Sequence, residues 1–111
     1  MDAAERRREL VGAIVAARKN DESVVFEAAD ARVTYEDRTL LLSVTDDERE
    51  RLDALLEEYH VFKIEQPATR KAEAGTVYLS AVTDAKHAAD FVDSLFGEVY
   101  DADEGYDLRV R

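Results

Sequence analysis

The sequence predicts an α+β domain in which residues 38–111 run strand, helix, strand, strand, helix, strand, preceded within residues 1–37 by a helix and a β-hairpin. Three observations predict it. Runs with two-residue alternation of apolar and polar side chains are interleaved with runs whose apolar residues recur every three or four positions. A near-repeated phrase, "LLLSVTD" at 40–46 and "YLSAVTD" at 78–84, twice sets a β-rich run against residues that start helices. The closing "YDLRVR" alternates Tyr106, Leu108 and Val110 with Asp107, Arg109 and Arg111, the pattern of a half-buried strand.

In chain order, "AAERRRELVGAIVAARK" places Leu10, Val11, Ile14 and Val15 on one stripe and predicts an amphipathic helix over 3–19. "NDES" breaks it, and "VVFEA" and "ARVTYED", joined by "AD", read as a hairpin. "RTLLLSV" is a strand. Thr45 with Glu48 forms a capping box, so a helix starts at Asp46, with Asp46, Asp47 and Glu48 complementing its dipole. Its apolar face is Leu52, Leu55, Leu56 and Tyr59, and it ends near His60. "HVFKIEQ" is the next strand, stopped by Pro67, which cannot donate to a ladder. After the loop "PATRKAEAG", "TVYLSAV" is a strand and Thr83–Asp84 opens a helix. Ala88, Phe91, Val92, Leu95, Phe96 and Val99 form its stripe, and Gly97 is its expected terminator. "DADEG" is read as a turn, because its glycine falls one position early for a calcium loop.

The repeated phrase marks two β-α junctions, and the order β-α-β-β-α-β from Arg38 resembles the ferredoxin-like split β-α-β layout. The resemblance is topological. It implies an antiparallel sheet with two helices on one face. Leu40, Leu42, Val44, Phe62, Ile64, Val77, Leu79, Tyr106 and Leu108 are then expected under the helices, and Thr39, Leu41, Ser43, Val61, Lys63, Tyr78, Ser80 and Arg109 opposite. Leu41, Val61 and Tyr78 are too apolar to stay bare, so either the N-terminal helix and hairpin or a second subunit is expected to cover them.

Charge sets the solvent environment. Against 26 Asp and Glu stand 15 Lys and Arg, a formal net charge of −11, yet 46% of residues are hydrophobic and periodic, which argues for a folded chain. Arginine outnumbers lysine eleven to four. This composition resembles that of cytoplasmic proteins of halophilic archaea, in which molar salt, with a Debye length of about 3 Å, screens carboxylate repulsion. No cysteine is present, which removes disulfides, thiolate metal sites and thiol nucleophiles. With no basic-then-apolar leader and no apolar run of membrane-spanning length, a cytoplasmic protein with no membrane partner is expected.

Candidate chemistry is sparse. His60 and His87 lack ligand-spaced neighbours, and no G-x-S-x-G or phosphate-cradling glycine loop occurs, so neither a metal nor a cofactor nor an enzymatic activity is predicted. Acylphosphatase shares the layout, but "SVTDDERER" would repel a phosphate. RNA-recognition motifs share it too. Here only Tyr78 stands where two or three stacking aromatics are wanted, which argues against nucleic acid, although Arg6, Arg7 and Arg8 with Tyr78 define that alternative. The expectation is a noncatalytic homodimeric binding module. It would use Leu41, Val61, Lys63 and Tyr78 on the sheet and Arg70 and Lys71 in the long loop, the latter suited to an acidic protein or a small anionic ligand.

Overall fold

The computed structural model describes residues 1–65 and 75–111. The elements are α1 Ala3–Asn20, β1 Val24–Ala28, β2 Ala31–Glu36, β3 Thr39–Ser43, α2 Asp46–Glu58, β4 Lys63–Glu65, β5 Thr76–Ser80, α3 Ala85–Ser94 and β6 Arg109–Val110. A π-helical turn, Leu95–Val99, continues α3. The strands form one antiparallel sheet ordered β4-β5-β3-β2-β1-β6.

Each helix begins on a side-chain cap. Asp2 Oδ1 accepts from the Glu5 amide at 2.8 Å, and Asp84 Oδ1 accepts from the His87 amide at 2.8 Å. At α2 the predicted capping box closes both ways: Glu48 N–H donates to Thr45 Oγ1 at 3.2 Å, and Thr45 N–H to Glu48 Oε1 at 2.9 Å. Both copies of the repeated phrase therefore do the same work. A strand ends, and an oxygen-bearing side chain takes up amides that the first helical turn leaves unpaired.

The strand order departs from the ferredoxin-like expectation. In that layout each β-α-β unit holds one strand of the other between its own two, and β5 does lie between β3 and β4. The second unit is wider, because β3, β2 and β1 all lie between β5 and β6. The hairpin has entered the sheet: β2 pairs with β3 in the register Thr34↔Leu41, and β6 pairs with β1 instead of β3. Physically, Val33 and Tyr35 on β2 and Phe26 on β1 are fully buried, so the hairpin carries core residues in continuous alternation with those of β3. It cannot also be a cover for the open face.

Nor does α1 cover it. Leu10, Ile14 and Ala17 belong to the one core cluster that also holds Phe26, Leu40, Leu79, Leu52, Phe91 and Phe96, so all three helices lie on the same side of the sheet. The α1 stripe is rotated from the expected one: Arg6, Leu10, Ile14 and Ala17 face inward, while Val15 is 48% exposed. Arg6 is 4% exposed, with its guanidinium 4.1 Å from the Tyr106 ring centre and its Nε donating to Asp93 Oδ1 at 3.1 Å.

Four further expectations are corrected. Phe62 is buried as predicted, but among the described residues of "HVFKIEQ", 60–65, the strand is Lys63–Glu65; Val61 sits in the preceding turn, where the Phe62 amide bonds to the Tyr59 carbonyl. Ile64 faces the helix side opposite Leu79 yet is 40% exposed, because β4 is the sheet edge. Gly97 does not stop its helix: the apolar stripe runs on through buried Leu95, Phe96 and Val99, and termination falls to Asp101, whose φ of +56° is left-handed. The last strand is two residues long, with Tyr106 and Leu108 buried ahead of it.

Candidate functional site

The uncovered sheet face is built from three rows of side chains that the pairing registers bring into line. A middle row crosses the sheet as Val25, Thr34, Leu41, Tyr78 and Glu65. Toward one end of the strands lies Glu36, Thr39, Ser80 and Lys63; toward the other lies Arg109, Glu27 and Arg32, with Ser43 and Thr76 beyond. Two-residue alternation sends every one of these away from the core. Val25, Thr34, Leu41 and Tyr78 are half-buried although no described element lies over them, since neighbours on either side shield them.

Two shallow depressions share Thr34 and Leu41, so that pair is the ridge between them. One, of about 680 Å³, is walled by Asp21, Glu22, Glu36 and Asp37 and closed by Thr39 and Tyr78. The other, of about 610 Å³, runs past Arg32 and Ser43 to Glu48 and Tyr100. The Tyr100 hydroxyl donates to the Ser43 carbonyl at 2.6 Å, and burial, with the charge of Glu48 nearby, pushes its pKa up, so it stays a neutral donor.

The two ends differ in charge: guanidinium groups collect at one, where Glu27, Asp30 and Glu48 balance them, and carboxylates are in excess at the other. Arg32 donates twice to Glu27 Oε2, at 3.2 and 3.1 Å, and Arg111 Nε lies 2.7 Å from Glu27 Oε1. Arg109 donates to the Ala29 carbonyl at 3.1 Å. The hydrogen bond from Arg32 holds the Glu27 carboxyl below the usual carboxylate range, against partial desolvation, with Arg111 and Arg109 adding to it. Three guanidinium groups gather around the Glu27 carboxylate here, while Asp21, Glu22, Glu36 and Asp37 crowd the far end against Arg38 and Lys63. In a chain of net charge −11, this separation along two strands is the main electrostatic feature of the face.

Of the predicted site residues, Leu41 and Tyr78 stand directly opposite each other on β3 and β5, and Lys63 shares their face on β4. Val61 lies in the turn ahead of β4 and belongs to no strand. Arg70 and Lys71 lie outside the described residues. Sequence reasoning missed Val25, Glu27, Arg32 and Thr34 as members of the face, although the alternation in "VVFEA" and "ARVTYE" was the signal. Arg6 is withdrawn from any basic patch by its burial, and His87 stacks on Phe62 at 5.5 Å as part of the aromatic packing. Among the described residues no three His, Asp or Glu side chains are grouped to hold a metal, and no helix is long and apolar enough to cross a membrane.

A family described as of unknown function, DUF7975, matches over residues 1–111. The chain belongs to the DUF7975 family. No curated protein and no solved structure matches it. For this DUF7975 chain the site must therefore be read from its own chemistry: a flat apolar and hydroxyl ridge between an arginine cluster and an acidic rim, with no convergent set of acid, base and nucleophile on the described face.

Proposed function

We propose that this DUF7975 chain is a noncatalytic assembly module of a salt-rich cytoplasm, in which two copies dock their open sheet faces. The supporting observation is the self-complementary charge pattern. A twofold axis lying along the middle row sets Leu41 against its own copy and Tyr78 against its own copy. The same rotation lays the Asp21, Glu22, Glu36 and Asp37 end of one chain over the Arg32, Arg109 and Arg111 end of the other. A twofold interface requires that each patch meet its complement twice, and on β2 Glu36 and Arg32 stand two residues to either side of Thr34 in the middle row.

Burial of the Leu41–Tyr78 ridge supplies the apolar contribution, and the charged ends fix register. About fifteen positions take part, fewer than the roughly 20–30 per side of a standard interface, so the dimer is reversible. Molar salt assists it by screening the repulsion between two chains of charge −11 while leaving close pairs less affected.

A charge exchange tests the arrangement. Arg32→Glu alone weakens association by at least tenfold, Glu36→Arg alone weakens it likewise, and the double variant recovers it, all read by sedimentation equilibrium in molar KCl. Equal association of all four proteins contradicts the proposed register.

A further inference from the structure

A second surface stands apart from the sheet, on the outer side of the helical layer. The inward stripe of α1 is Arg6, Leu10, Ile14 and Ala17. Ala4, Arg8, Val11, Val15 and Lys19 recur at the same three- and four-residue spacing on its other side, a mixed stripe in which Val15 faces water and Val11 is half-buried against the core. Val15 is 48% exposed, and Gly12 lies beside it with nothing within 4 Å of the position its Cβ would take. Between α1 and α3 the stripe borders a groove of about 450 Å³ lined by Arg7, Arg8, Val11, Gly12 and Lys86.

The charge around it is the reverse of the molecule's. Arg7, Arg8, Lys19 and Lys86 surround the valines, and of the nearby acids Asp90 is paired with Arg7 at 3.5 Å, while Glu5 and Glu9 lie on the helix edge away from α3. With only 15 basic residues in the chain, placing four of them around exposed Val15 and half-buried Val11 leaves a cationic, apolar-floored strip on an otherwise anionic body. From Arg8 to Lys19 the strip covers twelve residues, about 16 Å or three helical turns.

We infer that the α1–α3 groove docks an acidic amphipathic helix of a partner protein, about three turns long, with small apolar anchors against Val11, Gly12 and Val15 and Glu or Asp flanking them toward Arg8, Lys19 and Lys86. The open Cβ space at Gly12 is where the two helices approach most closely. An anionic bilayer fits less well. Its plane would face the whole chain of charge −11, and two valines without Trp, Phe or Leu offer little to insert. A second copy does not supply the helix either: the apolar anchors of the acidic α2, Leu52 and Leu55, are buried in their own core.

The test uses a fluorescein-labelled peptide of about fourteen residues, helix-favouring, with Ala and Leu on one stripe and Glu on its flanks, read by anisotropy against the full-length chain in moderate salt. Saturable binding is expected, weakened at least tenfold when the Glu flanks become Lys. Gly12→Leu should weaken it at least tenfold by filling the groove; because Leu favours a helix over Gly and meets open space, circular dichroism should report an intact fold. Arg8→Glu combined with Lys86→Glu should do the same by charge. Absence of saturable binding, equal affinity for the Glu and Lys peptides, or indifference to both variants overturns the inference. So does co-sedimentation with phosphatidylglycerol vesicles that the same variants abolish.

Discussion

The Tyr106 hydroxyl donates to Asp93 Oδ1 at 2.6 Å, and Arg6 approaches the same oxygen with its Nε at 3.1 Å while lying over the Tyr106 ring. Burial and the Asp93 carboxylate raise the Tyr106 pKa, so the hydroxyl remains a donor throughout the neutral range. Arg6 also donates to the Met1 and Tyr106 carbonyls, tying the first helix to the C-terminal segment. Arg6→Ala takes the cation from a partly buried carboxylate and removes three hydrogen bonds and the contact with the Tyr106 ring at once. It should lower stability by about 3 kcal/mol, the low end for a buried pair because the Asp93 end reaches water, as measured by urea unfolding in molar KCl. A loss below about 0.5 kcal/mol, the size of an ordinary surface change, would show the network to be incidental.

Acid should destabilise the fold through two carboxylates. The Asp84 carboxyl is held below its ordinary value of 3.8, chiefly by the His87 amide it caps, and Glu27 below 4.5, chiefly by its hydrogen bond from Arg32. A depressed folded-state pKa contributes stability that is complete above the unfolded value and is lost as pH falls through the folded one. Thermal midpoints in molar KCl, where charge repulsion is screened, should therefore fall as pH drops below about 4.5. The Glu27→Gln/Asp84→Asn variant should start lower at pH 7 and lose less; parallel curves for the two proteins would refute this assignment.

Gly75 adopts φ +83°, and a Cβ there would sit 2.9 Å from the Val44 carbonyl oxygen. Its own carbonyl accepts from the Val44 amide at 2.7 Å, closing the start of β5 onto the end of β3. Gly75→Ala combines a left-handed backbone with a clash against backbone. Thermal or urea unfolding should show a loss of about 2 kcal/mol. Gly97→Ala, with nothing within 4 Å, serves as the contrasting substitution and should be neutral or stabilising.

Local structure was legible in the sequence where it is decided locally. The capping box at Thr45 and Glu48 involves residues three apart, and the Leu52–Leu55 stripe needs only helical periodicity; both formed as read. Strand order was not legible, because the pairing Thr34↔Leu41 depends on which apolar edge the hairpin meets after collapse, and alternation in "ARVTYE" is equally compatible with a separate hairpin. Leu41 and Tyr78 were recognisable as members of an open face from alternation alone, whereas the arginines around Glu27 were not: Arg32 meets it through the register of the β1–β2 hairpin, and Arg109, distant in sequence, only once β6 pairs with β1. The rotation of α1 by part of a turn was hidden by Arg6, a charged residue that no periodicity argument places in a core.

The mass of the intact chain in solution tests the central claim most directly. Sedimentation equilibrium in molar KCl over a hundredfold range of concentration should show a monomer–dimer equilibrium, and Leu41→Asp, which sets two carboxylates against each other at the centre of the sheet face, should remain monomeric with an unchanged circular dichroism spectrum. A single 12.5 kDa species at every concentration, or a dimer that Leu41→Asp leaves intact, would contradict the account.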